Sequence, residues 1–281
     1  MEQPMPNRPN ALFEHFIMTR FNLATPGREL AIRTQEGWLD YRFKLFERYC
    51  APSIAEQRSK AFKWIIYFDK DTPNHYKERI ETLRQEVPFT AYYTGLFGAE
   101  GWRRSLFEVF RPQARSILTT RLDSDDVISV DFVQRLHEEV EARDYAPGFY
   151  NFSKGFIRQG ESLFRITHES NAFFSVLELN GPDVRTAPSI PHMGIRQQGD
   201  LFQINCDPFW MQIIHDSNVS NKVRGWRTSP FGLTSPFPDA AIAGLAHPSL
   251  ATLLVENAFL APMRFARDAA ANILRHGRIK A

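Results

Sequence analysis

The chain is poor in cysteine. Only Cys50 and Cys206 occur in 281 residues, far apart in sequence. That excludes a disulfide framework and a thiolate metal cage, and it fits a reducing compartment. Charge of one sign is also scarce, with a formal net charge of +2. Binding to nucleic acid through bulk electrostatics is therefore excluded. No apolar run reaches the ~20 residues of a membrane span. The opening MEQPMPNRPN lacks the apolar core of a secretory signal. A cytoplasmic location is the expectation. Glycine is thin where a phosphate loop would need it. Thr19 to Gly27 holds one glycine, and no G-x-x-x-x-G-K-[ST] string occurs, which argues against a P-loop.

What is present is a large apolar fraction, 43%, with 24 phenylalanines, ample for a core and aromatic-lined clefts. After a loose leader over residues 1–10, Leu12 to Phe21 reads as a strand with a polar end at Thr19 and Arg20. Trp38, Tyr41, Leu45, Phe46 and Tyr49 recur at helical spacing, and Pro52 is expected to end that helix. Phe62 to Asp69 is an apolar strand closing on Asp69 and Asp71. Tyr76 to Val87 is helical, Pro88 to Thr94 a short strand, and residues 102–112 helical again. A strand from Ser116 and a helix near 129–142 complete four strand–helix alternations. Such alternation predicts an α/β fold with a mostly parallel sheet and helices on both faces.

The central stretch is Ser116-Ile117-Leu118-Thr119-Thr120-Arg121-Leu122-Asp123-Ser124-Asp125-Asp126. Its apolar positions alternate on both faces of a strand. Three carboxylates cannot lie unpaired inside a core, so they mark the point where the strand opens into a crevice. In open α/β sheets, ligands bind there, outside the carboxyl ends of the strands. An Asp-x-Asp pair offers hard oxygen ligands to a divalent cation and substrate phosphates. The competing reading is that Asp125 and Asp126 only open the next helix, where acidic residues are favoured.

This arrangement resembles the GT-A fold of glycosyltransferases. The strings His15-Phe16-Ile17-Met18-Thr19-Arg20-Phe21-Asn22, Trp38…Arg42…Leu45-Phe46-Glu47, Pro52-Ser53-Ile54…Gln57 and Trp64-Ile65-Ile66-Tyr67-Phe68-Asp69 are similar to a bacterial rhamnosyltransferase family. So are Arg121 to Asp126 and Trp210-Met211-Gln212-Ile213-Ile214-His215…Asn218 to Asn221. The resemblance spans about residues 12–226. It implies a GT-A-like domain over 11–226 that transfers a sugar, rhamnose among the candidates, from a nucleotide-sugar donor to a saccharide or lipid-linked acceptor. It also implies Mn²⁺ or Mg²⁺ on Asp123 and Asp125, with Asp126 an extra or replacement ligand and His215 completing the shell; His192 is the rival. Thr19, Arg20, Asp69, Arg121 and Asp123 fall where such folds hold the nucleotide sugar. Inversion needs a base within reach of the acceptor. Glu169, Glu178, Asp200 and Asp207 are the candidates, Glu178 leading because an apolar run surrounds it.

Two other readings use the same residues: a Mg²⁺-dependent nucleotidyl or phosphoryl transferase, and a non-catalytic carbohydrate-binding protein on the same fold. In the second half, Phe149–Phe152 and Ser162–Thr167 read as a long-looped hairpin. Residues 227–281 read as a proline-containing linker and a helical basic tail. From Arg264 on, the tail has five basic residues and one acid, Asp268. It either touches the inner membrane peripherally or packs on the domain with its charges solvated.

Overall fold

The structure, a computed structural model of the chain, describes residues 12–23, 32–33, 35–95, 98–215, 222–233 and 236–267. The leader, the Pro26-Gly27 loop, Asn218 to Asn221 and residues 268–281 lie outside the described residues.

The main sheet has seven strands: β1 (Phe13–Arg20), β2 (Lys63–Asp69), β3 (Thr90–Thr94), β4 (Ser116–Arg121), β6 (Gly148–Phe152), β9 (Ser175–Leu179) and β10 (Leu201–Ile204). Their order is β10-β6-β9-β4-β1-β2-β3. β1 pairs in parallel with both β2 and β4, and β2 with β3. Only β9 runs antiparallel, between β4 and β6. The expected α/β class with a mostly parallel sheet is thus present. The carboxyl ends of β1, β2, β3 and β4 bring Arg20, Asp69, Thr94 and Arg121 to one edge.

β4 is buried along nearly its whole length. Ile117 packs into one cluster with Phe16, Met18 and Tyr67, while Leu118 and Leu122 join the larger cluster on the opposite face. Both faces are covered, as near-continuous apolar strands of a parallel sheet require.

A second sheet has the order β12-β8-β7-β11-β5, from β5 (Val127–Ile128), β7 (Lys154–Gln159), β8 (Ser162–Thr167), β11 (Trp210–Ile214) and β12 (Trp226–Thr228). The expected hairpin is therefore one strand later. β7 and β8 form it through Gly160-Glu161, while β6 belongs to the other sheet. The reason is sidedness: Phe149 and Tyr150 face clusters of the main sheet. Gly155 lets β7 and Trp210 approach, since a Cβ there would sit 2.1 Å from the indole.

The helix Trp38–Leu45 does not end at Pro52. It passes through a π-helical turn, Phe46–Cys50, into Ala51–Ala55, with Pro52 the second residue of that last piece. Buried Gln57 then donates to the Ser129 carbonyl and accepts from the Val133 amide. It locks this helix to the start of the helix Phe132–Glu141.

The expected linker from residue 227 is instead part of the body. β12 pairs with β8. Phe237, Ala241 and Leu245 enter a buried cluster with Phe156 and Met211. Buried Arg158 donates to the carbonyls of Ala241 and Ala243 at 2.6 and 2.8 Å. Pro230 opens a short 3-10 turn, and Pro238 precedes the helical turn Asp239–Ile242.

Candidate active site

The Asp-rich turn joins the two sheets. β4 ends at Arg121, and β5 begins at Val127 in the other sheet. β5 pairs antiparallel with β11, Met211 opposite Val127. Continuing that register brings Asp125 and Asp126 alongside the end of β11. Asp126 Oδ1 accepts from the Ile213 amide at 2.9 Å. His215, just past β11, places Nε2 2.8 Å from Asp125 Oδ2, and both side chains are under 10% exposed.

Arginines surround the carboxylates. Arg42, from the helix Trp38–Leu45, reaches Asp125 Oδ2 at 3.2 Å and also donates to Ser124 Oγ. Arg121 grips Asp123 with two nitrogens, the shortest contact 2.8 Å. Burial raises the Asp125 pKa, but Arg42 and then His215 outweigh it, and the carboxyl is pulled down to about 2. Asp123 is also lowered: burial opposes, and Arg121 with Arg20 prevails. Asp126 goes the other way. Burial, then the negative charges of Asp125 and Asp123, raise its pKa well above the ordinary value. Burial, and then the same three aspartates, push up the Cys50 thiol. Three adjacent carboxyl groups thus divide into two compensated anions and one group that readily keeps its proton.

The structure brings together Arg20, Arg121, Asp123, Asp125 and His215. Asp69 lies on the same edge, held by Arg33 and by the Asp71 amide. Thr19 is fully buried, its Oγ1 accepting from Trp64 Nε1 at 2.9 Å, so its hydroxyl braces β1 against β2. Asp126 is aimed at β11 and away from Arg42. Glu178 is not brought to the site. It pairs in register with Ile117, about 20 Å of strand from Asp123 at 3.3 Å per residue. Its carboxylate accepts from the amides of Arg185 and Thr186. Asp207 is exposed at the start of β11, the opposite end from His215.

Two groups gain weight from the fold. Arg42 appeared in the sequence only as part of the Trp38…Arg42 string, with no role attached. His192 sits where Arg121 and Asp123 both act on it. Burial first, then Arg121, lower its pKa below the ordinary 6.5. Its backbone carbonyl is anchored by Ser170 Oγ. Neither contact is legible in sequence, because the partners lie more than twenty residues away.

A family model described as "Putative rhamnosyl transferase" matches residues 14–227. The chain belongs to this family. The matched stretch runs from the second residue of β1 to the second of β12 and contains every residue of the acidic turn and its partners. No curated protein matches the chain. Among solved structures, residues 1–349 of Staphylococcus aureus TarS in complex with UDP are similar at 8% identity and a TM-score of 0.45, covering 72% of this chain and 60% of that one. A Desulfovibrio desulfuricans G20 protein described as a "putative nucleotide-diphospho-sugar transferase" is similar at 9% identity and a TM-score of 0.35, covering 73% and 83%. The family member thus spans three fifths of the TarS fragment. No helix among the described residues is long and apolar enough to cross a membrane.

Among the described residues, no three His, Cys, Asp or Glu side chains converge as a cage. The Asp125–His215 pair offers one carboxylate oxygen and one imidazole nitrogen at a strand edge. That suits a cation whose remaining ligands are water and substrate phosphate oxygens, the usual mode of Mg²⁺ at phosphate sites. The imidazole favours Mn²⁺ over Mg²⁺.

Proposed function

We propose that this protein is a glycosyltransferase. It takes a sugar, rhamnose being the family's candidate, from a nucleoside-diphosphate donor and passes it to a hydroxyl of a saccharide or lipid-linked acceptor. The observation that carries the reading is the Asp125–His215 contact at the edge where β1, β2 and β4 end. Family membership supports the same class.

In this reading Asp125 and His215 hold Mn²⁺ or Mg²⁺, with Asp123 beside them. When bound, the cation supplies charge neutralisation for the departing diphosphate. The chain's own cations act in the same sense. Arg121 and Arg20 face Asp123 and present donors for phosphate oxygens, a task suited to guanidinium geometry. Arg42 keeps Asp125 ionised and aimed at the crevice. Asp69 and Arg33 form the edge nearest β2, suited to ribose and base. His192, whose pKa burial and then Arg121 lower, can accept the acceptor hydroxyl's proton, provided the hydroxyl comes within hydrogen-bond reach.

The test is release of free nucleotide from a panel of nucleoside-diphosphate sugars, with Mn²⁺, Mg²⁺ or EDTA. Metal-dependent release for one donor, raised by a saccharide acceptor, is expected. Nucleotide-sugar binding without release under any metal would leave a carbohydrate-binding protein instead. Pyrophosphate release from a nucleoside triphosphate and sugar phosphate would identify a nucleotidyl transferase.

A further inference from the structure

The helix that begins at Leu250 is turned inside out. A surface helix ordinarily buries its apolar stripe and exposes its charges. Here Leu250–Val255 passes through a π-helical turn, Glu256–Leu260, and residues 261–267 continue as helix, about 27 Å in all at 1.5 Å per residue. The only charged residues before Arg267 are Glu256 and Arg264. Both face the body and pair with each other at 2.9 Å. Asn257 also points inward, exchanging hydrogen bonds with the backbone of Arg227, and Ala261 is fully buried. The outward face is left uncharged. Leu254 is 67% exposed, Phe259 66% and Met263 67%. Phe231, 86% exposed, extends this surface from the helix start through its contact with the His247 ring. Exposed Trp226 and Phe265, 5.5 Å apart, extend it at the far end.

A contiguous apolar face of this length is uncommon on a monomer and marks a contact surface. Charge decides between occupants. Residues 249–281 hold five basic residues against two acidic ones, a net of +3 in a chain of net +2. Glu256 is already neutralised by Arg264. A second copy packed through the same face carries the same net positive charge, so a two-fold contact has no charge complementarity to offer. An anionic surface accepts both features at once. We propose that the apolar face of helix 250–267 docks on an anionic lipid surface, whose charge complements the net positive charge of this end of the sequence. Amphipathic helices of this kind lie in the interface plane and gain affinity from buried apolar area and from anionic lipid. The proposal is independent of the sugar-transfer reading.

The test uses the full chain in a vesicle sedimentation assay, with phosphatidylcholine alone or mixed with phosphatidylglycerol. The wild type is expected to sediment with the anionic vesicles and to weaken with salt, as screening requires. The double variant Phe259→Glu/Met263→Glu alters exposed side chains only, so its thermal midpoint should be unchanged. Its partitioning should fall at least about tenfold, as loss of buried apolar area predicts. Wild-type protein that stays in the supernatant at low salt overturns the proposal. A variant that sediments like wild type also overturns it, leaving the basic residues alone responsible. A wild-type dimer made monomeric by the double variant, with neither binding vesicles, reassigns the face to self-association.

Discussion

His215 Nε2 lies 2.8 Å from Asp125 Oδ2, although ninety residues separate them in the chain. The contact exists because β5, two residues long, pairs with β11 directly after the acidic turn. Neither residue would be near the other if β4 simply ran into a helix. The consequence is a carboxylate and an imidazole held together in a crevice, with Arg42 on the same carboxylate oxygen.

Asp125→Asn should cost donor turnover roughly two orders of magnitude, the scale of losing one preorganised electrostatic contact. The fold should survive, because the amide oxygen can still accept from Arg42 and His215. Steady-state nucleotide release across a Mn²⁺ titration checks it. Full activity at limiting Mn²⁺ would remove Asp125 from the site.

The two histidines should separate kinetically. His215→Ala should raise the Mn²⁺ activation constant, since His215 touches Asp125. His192→Ala should leave that constant near wild type and lower kcat, since His192 is the base in the proposed reading. Measuring both constants for both variants decides, and a reversed pattern exchanges their roles.

Arg42→Met should destabilise the free protein by about 3 kcal/mol, the cost of leaving a buried charge without its partner. Both side chains are largely buried, at 15% and 9% exposure. Added Mn²⁺ should raise the variant's thermal midpoint more than the wild type's, by mass action on the native state. Equal shifts in the two proteins would mean that Arg42 and the cation do not share Asp125.

Glu178→Gln should keep kcat and lose stability, by about 1–2 kcal/mol. The carboxylate accepts from two backbone amides at the Arg185–Thr186 turn, remote from the acidic cluster. A large fall in kcat with an unchanged thermal midpoint would return Glu178 to the catalytic role its apolar surroundings suggested.

Acid should unfold the protein through a buried histidine pair. His15 Nδ1 and His137 Nε2 are 3.0 Å apart, and His15 continues to Thr120 Oγ1 and Ser175 Oγ. Burial lowers both pKa values, His137 to about 4 from 6.5. The unfolded chain therefore binds protons first as pH falls. Stability is unaffected above pH 6.5 and declines from there to about pH 4. For His137 alone the loss is of the order of 3 kcal/mol at pH 4. Chemical denaturation between pH 7 and pH 4 should show the decline, and His137→Phe should flatten it. An identical slope in that variant would assign the acid sensitivity elsewhere.

The parallel core of the fold was legible because its signals are local. The apolar runs at Ile17, Ile65 to Phe68 and Ile117 to Leu122, set between helical stripes, admit few arrangements other than a covered parallel sheet. The same locality exposed Asp123, Asp125 and His215, since polar groups ending apolar strands must emerge at a sheet edge. Sequence misread features that depend on pairing. β6 and β7 run almost without a break yet enter different sheets, so the hairpin was displaced by one strand. Glu178 looked poised among apolar neighbours, but β9 runs antiparallel and carries it to the far end. Residues 227–245 look like a linker until Arg158 is seen to hold the carbonyls of Ala241 and Ala243. The roles of Arg42 and Asp126 were likewise decided only in three dimensions. Arg42 and His215 hold Asp125 ionised, while burial and the charges of Asp125 and Asp123 push Asp126 toward its protonated form, and spacing alone does not reveal which receives which.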